Sequence, residues 1–212
     1  MSLSVLVSTP DRNSAVAQRC LDTLADSTRG ERYTLYIADN REATGWKHEA
    51  EIRRMYRAVG PPFITLDDDT WFEQNGWLDY MMAARFHGMS PNVIGAEIWR
   101  DTDTLWSTGM WVDGKGRPHN NKTPHDTTQT VAACCSCCWL LAGDLPECRA
   151  PYSKYYFDMD IAYQSHVVVT PVRVFHQANR NMAEKKMLLE HDRRLFLQAW
   201  TPAELERKKA TQ

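Results

Sequence analysis

Residues 63–70, FITLDDDT, run an apolar stretch straight into three consecutive aspartates. Carboxylates packed this closely repel one another and raise each other's pKa unless water screens them or a positive charge sits between them. Two kinds of chemistry follow. One is a solvated acidic turn; the other is a site for a hard divalent cation such as Mg²⁺ or Mn²⁺, which prefers oxygen ligands. In an extended segment Asp67 and Asp69 point the same way and Asp68 points to the other face. A lone D-x-D leaves both readings open, and what the rest of the chain supplies must choose between them.

The elements that position these residues alternate over the first half. SLSVLVS (2–8) reads as a strand that stops at Thr9-Pro10. Residues 13–26 place Val16, Cys20, Leu21 and Leu24 at helical spacing, with Asn13 or Ser14 as the N-cap. TLYIADN (34–40) is a second strand and residues 45–60 a second helix, closed by Gly60 ahead of Pro61-Pro62. PFITLDDD is a third strand, followed by the helix GWLDYMMAARFHG. This order argues for a mostly parallel α/β sheet with right-handed crossovers. Ligands in such sheets bind at the C-terminal strand ends. Here those ends are Thr9-Pro10-Asp11-Arg12, Asp39-Asn40 and Asp67-Asp68-Asp69, so three strands deliver polar groups to one rim.

The second half changes character and suggests an antiparallel portion. Residues 92–99 are strand-like, and a hairpin is expected around Asp113-Gly114-Lys115-Gly116. The polar stretch 117–129 reads as a mobile loop. VAACCSCCWLLAG (131–143) reads as one buried strand, whose alternation puts Cys134 with Ser136 on one face and Cys135 with Cys137 on the other. Thiols so arranged are small core residues rather than a zinc site, which uses separated pairs. A helix starts near Asp158, residues 167–177 form the last strand, and the charged tail from about 181 is helical with a capping box at Thr201 to Glu204.

Composition narrows the classes. The 212 residues suffice for one domain with a sizeable core, and the formal charge of −2 lacks the overall basic field that dominates nucleic-acid binders. No run approaches the roughly 18 apolar residues of a membrane span. The first residues lack signal-peptide character and the cysteines lack a disulfide framework, so the expected location is the cytoplasm.

The series STPDR, IADN, ITLDDDTWF, YYFDMDIAY and VRVFH, across roughly residues 2–180, resembles glycosyltransferase family 2 on a GT-A fold. The resemblance implies one domain over 1–180, with a nucleotide-binding half (1–90), an acceptor and catalytic half (91–180), and an added helical tail (181–212). It implies that Thr9, Pro10, Arg12 and Asp39 hold the nucleoside of a nucleotide-sugar donor, a UDP-sugar first, with Asp67 and Asp68 beside it. It implies a Mn²⁺ or Mg²⁺ ion on Asp67, Asp69 and His176, and Asp158 as the base of a single inverting displacement. The family's acidic pair before this helix is usually Glu-Asp; here it is Phe157-Asp158, so only the second acid is kept.

Other readings stay beside these. Asp158 or Asp160 could cap the helix, and Asp160, Trp139 and Trp111 are candidates for the acceptor or sugar. The acceptor is open among a soluble glycan, a protein, a small metabolite and a hydroxymethylated nucleobase in DNA, and a homodimer is compatible. Residues 113–129 are candidates for a donor-closing loop. A sugar-nucleotide pyrophosphorylase would carry a glycine-rich first loop, which STPDRNSAV lacks. A non-catalytic nucleotide-sugar or glycan-binding domain is the remaining alternative.

Overall fold

A strand buried on both faces reads as a near-continuous apolar run, and Leu3–Thr9 (β1), in which the small polar Ser4, Ser8 and Thr9 join four apolar residues, is buried at all seven positions. The computed structural model describes residues 3–40, 48–88, 90–177 and 182–210, with side chains in the last stretch described from 186 onward. Helix α1 (Ala15–Ser27) starts where Ser14 caps it, its hydroxyl accepting the Ala17 N–H at 3.1 Å. Strand β2 (Tyr33–Asp39), helix α2 (His48–Val59) and strand β3 (Phe63–Asp67) complete the alternating unit. The first residues of the helix expected over 45–60 lie outside the described residues. Both β2 and β3 pair with β1 in parallel.

The chain then turns through Asp68 and Asp69 into a two-residue strand, β4 (Thr70–Trp71), and helix α3 (Trp77–Ala83). Next come β5 (Val93–Trp99), β6 (Leu105–Ser107), the hairpin β7 (Met110–Val112) and β8 (Pro118–Asn120), β9 (Gln129–Val131) and β10 (Cys138–Leu141). Helix α4 (Phe157–Tyr163), strand β11 (Val167–His176) and helices α5 (Met182–Ala199) and α6 (Pro202–Lys209) follow. The main sheet runs β2-β1-β3-β10-β5-β11-β4 among the described residues, with β6 beside β5 and β9 beside β11. Strand β10 is antiparallel to both neighbours, and β11 is parallel to β5. The order departs from β1 in both directions, to β2 and to β3, which opens the crevice at their C-terminal ends.

Two expectations change. The strand expected over 131–143 is broken, because β9 pairs with β11 while β10 lies between β3 and β5. The linking residues 132–137 must cross between those places, so the face alternation expected for CCSCC does not arise. Small side chains let this crossing pack on the sheet: a Cβ on Gly95 would lie 2.6 Å from the Cys134 sulfur. Secondly, the stretch 117–129 is anchored, since Pro118–Asn120 pairs with β7 and the His125 N–H donates to Glu97 at 2.7 Å. The C-terminal helices pack against the core. Phe196, Trp200 and Leu205 are buried in the core that holds Tyr152, Tyr156 and Tyr163. The capping box of α6 is present in full at Thr201 and Glu204.

Candidate active site

Strand β3 ends at Asp67, and the next two residues form a tight turn rather than continuing the strand. The Thr70 hydroxyl closes that turn by donating to the Asp67 carbonyl at 2.7 Å. The end of β11 is stitched to it: His176 stands opposite Thr70, and the Gln177 N–H donates to the Asp69 carbonyl at 2.9 Å. This pairing brings the His176 imidazole to Asp69 at 3.0 Å and to Asp67 at 4.0 Å. One ligand atom from each of Asp67, Asp69 and His176 lies within 4.8 Å of the others. Asp67 and Asp69 do share a side, as the spacing suggested, but a turn rather than an extended strand achieves it.

Asp68 goes elsewhere. Its carboxylate accepts the Thr9 hydroxyl at 2.7 Å, joining the ends of β1 and β3. Burial raises its pKa, the Thr9 bond opposes that rise, and the charges of Asp69 and Asp67 add to it. Burial works against a charged His176, yet the Asp69 hydrogen bond and the surrounding negative charge outweigh it and push its pKa up to about 9. A proton on His176 thus stands where a cation would relieve the repulsion between carboxylates. Two carboxylate oxygens and an imidazole nitrogen are a fitting donor set for a divalent ion.

These groups open onto a cavity of about 430 Å³ lined by Pro10, Asp67, Asp68, Asp69, Asp158 and His176 among others. Asp158 enters from the first turn of α4. Tyr156, at φ 63°, is the N-cap, so Asp158 is not the cap residue. Its carboxylate accepts the Met159 N–H at 2.9 Å and faces the Ser136 hydroxyl at 3.5 Å. Burial pushes its pKa up to about 6, against the Met159 hydrogen bond; Asp67 raises it further and His48 lowers it. A carboxylate with that pKa is ionised at neutral pH and still basic enough to take a proton.

The remaining candidates are dispersed. Thr9 is buried, and Asp39 stands opposite it at the end of β2. Arg12 is exposed on the same rim, its carbonyl accepting from Gln18. Trp139 is fully buried, donating to the Cys134 carbonyl at 3.3 Å, and so is core rather than an acceptor contact. Asp160 is also fully buried: it accepts from the Arg149 N–H at 2.6 Å and from the Trp200 indole at 2.8 Å. Trp111 does not line the cavity; it stacks on His119 at 4.2 Å with Lys209 over its ring at 4.5 Å.

Several cavity residues escaped the sequence reading. His48, at the start of α2, approaches Asp67 at 3.3 Å and faces the Phe157 ring at 5.8 Å. Trp106 stacks on His176 with ring centroids 5.5 Å apart. Cys135, Ser136, Lys154, Tyr155 and Leu189 also line the walls. Nothing in the local pattern around His48 marks it, because its position depends on where α2 docks. Trp106 offered only its residue type.

No protein-family model and no curated protein sequence matches the chain. Solved structures do. The chain aligns with S. aureus TarS 1–349, determined in complex with UDP-GlcNAc, at TM-score 0.59 and 12% identity, over 99% of this chain and 71% of that one. It aligns with A197 from STIV at TM-score 0.52 and 10% identity, over 84% of this chain and 87% of that one. At such identities the likeness concerns the fold. The protein has a GT-A-like mixed α/β fold, with a mostly parallel central sheet, flanking helices and added antiparallel strands.

Proposed function

We propose that the protein is a metal-dependent inverting glycosyltransferase that moves a sugar from a nucleoside-diphosphate sugar to an acceptor hydroxyl. The observation that carries this reading is the opening of Asp67, Asp69 and His176 onto the same cavity as a buried Asp158 with its pKa near 6. The fold shared with TarS, determined with UDP-GlcNAc, favours a UDP-sugar donor. The nucleoside would lie on the rim of Thr9, Pro10, Arg12 and Asp39, with Asp68 beside it. Asp67, Asp69 and His176 would hold the ion, and the imidazole favours Mn²⁺ over Mg²⁺. When bound, a divalent ion stabilises the charge that develops on the departing diphosphate.

The rest falls to the chain's own groups. Asp158 accepts the proton of the acceptor hydroxyl as that oxygen attacks the anomeric carbon. The bond from that carbon to the diphosphate oxygen breaks, and the electron pair leaves with the nucleotide. One displacement inverts the carbon and needs no covalent sugar on the enzyme. The aromatic and apolar walls, Trp106, Tyr155 and Phe157 among them, limit water at the reacting carbon. No helix among the described residues is long and apolar enough to cross a membrane. A cytoplasmic enzyme with a glycan, protein, metabolite or hydroxymethylated DNA base as acceptor fits this reading.

The test is nucleotide release from a panel of nucleotide-sugars with Mn²⁺, against acceptors of each class. Donor-dependent product that disappears with Asp158→Asn while nucleotide still binds supports the assignment. A protein that binds nucleotide-sugar and never turns it over would be the non-catalytic domain, consistent with Phe157 standing where the family keeps an acid.

A further inference from the structure

A second carboxylate is as fully buried as Asp160, and it holds backbone that walls the cavity. Asp192, in the middle of α5, is 0% exposed. Its Oδ1 accepts the Ser153 N–H at 2.8 Å, and its Oδ2 accepts the N–H groups of Lys154 and Tyr155, each at 2.8 Å. Those three consecutive residues belong to no helix or strand, and backbone donors turned inward must find acceptors. A carboxylate taking three such bonds is a strong, direction-specific clamp. The clamped segment is also cavity wall: Lys154 and Tyr155 line it, and Asp158 follows three residues later. Between them stands Tyr156, whose left-handed backbone turns the chain into α4 and whose hydroxyl donates to the Gly116 carbonyl at 2.6 Å. Leu189, one helical turn before Asp192, lines the same cavity.

We propose that Asp192 is a positioning residue that fixes the acceptor side of the site, holding Ser153–Tyr155 so that Asp158 meets the acceptor hydroxyl. This rests on the transferase reading for its kinetic part. The clamp lies on a different element from Asp67, Asp69 and His176, so nucleotide binding and acceptor turnover separate when it is loosened. In Asp192→Asn one oxygen is replaced by an amide donor aimed at backbone donors.

The experiment uses the full chain and two readouts. Hydrogen–deuterium exchange followed on peptides covering 152–163 should show faster exchange there in Asp192→Asn, with peptides of β1 and β3 unchanged. Calorimetry should give UDP affinity with Mn²⁺ within about twofold of wild type, while transfer falls at least tenfold through kcat or the acceptor KM. Unchanged exchange at 152–163, or faster exchange with wild-type transfer, overturns the proposal. If Asp192→Asn does not fold, Asp192→Glu carries the same test, because it keeps the charge and displaces the acceptors by one methylene. Failure of wild type to bind any nucleotide would sink the transferase reading and leave the exchange result to decide the clamp.

Discussion

Asp158 is held where its charge is disfavoured, and that has two measurable consequences. Burial pushes its pKa to about 6, so kcat/KM should rise with pH through about 6 and then level as the carboxylate ionises. A rate independent of pH between 5 and 7 would remove Asp158 as the base. The stability effect has the opposite sense. The folded pKa lies above the roughly 3.9 of an unfolded aspartate. Its contribution to stability is therefore fully present below that value and is lost as pH rises through about 6. Asp158→Asn at pH 8 should accordingly melt no lower than wild type while losing about 10²–10⁴ in turnover. A lowered Tm together with lost turnover would point to a structural role instead. Residue types and spacing draw attention to Asp67 and Asp69 at a strand end, while Asp158 and His176 are singled out by the family resemblance. Neither could reveal His48, Trp106 or Asp192, whose roles come from elements that meet only in three dimensions.

At the scale of elements, the crossing between β9 and β10 is the part of the fold that the sequence concealed. Its apolar run is continuous, and period alone cannot distinguish one long strand from two short ones joined by a turn. The glycine beneath it is the physical clue. Gly95→Ala would place a Cβ 2.6 Å from the Cys134 sulfur, a collision that should cost about 1–3 kcal/mol and displace Cys135 and Ser136 at the cavity wall. Chemical denaturation measures that cost, and an unchanged midpoint would mean the crossing yields freely. The cap of α1 was legible, by contrast. Ser14→Ala removes a bond to the Ala17 N–H and should cost about 1 kcal/mol without altering nucleotide binding. The βαβαβ half was readable because each of its elements carries its own boundary signals.

Across the whole molecule, the C-terminal helices decide whether the site has a fixed second wall. The sequence marks residues from about 181 as a charged helical tail. Phe196 in that tail is fully buried with Tyr152, Tyr156 and Tyr163, and Arg149 stacks over Trp200 at 3.6 Å. Phe196→Ala should lose about 3–5 kcal/mol. Deleting residues 182–212 should abolish cooperative unfolding; a truncated chain with wild-type Tm would mean that these helices add nothing to the core. If the aspartate turn completes a metal and nucleotide-diphosphate site, nucleotide binding must depend on the metal. Calorimetry of UDP, GDP, TDP and CMP, with and without Mn²⁺, on wild type and Asp69→Ala should show one diphosphate bound in a Mn²⁺-dependent way and lost in the variant. Metal-independent binding, or none for any nucleotide, would rule that site out and return FITLDDDT to a solvated acidic turn.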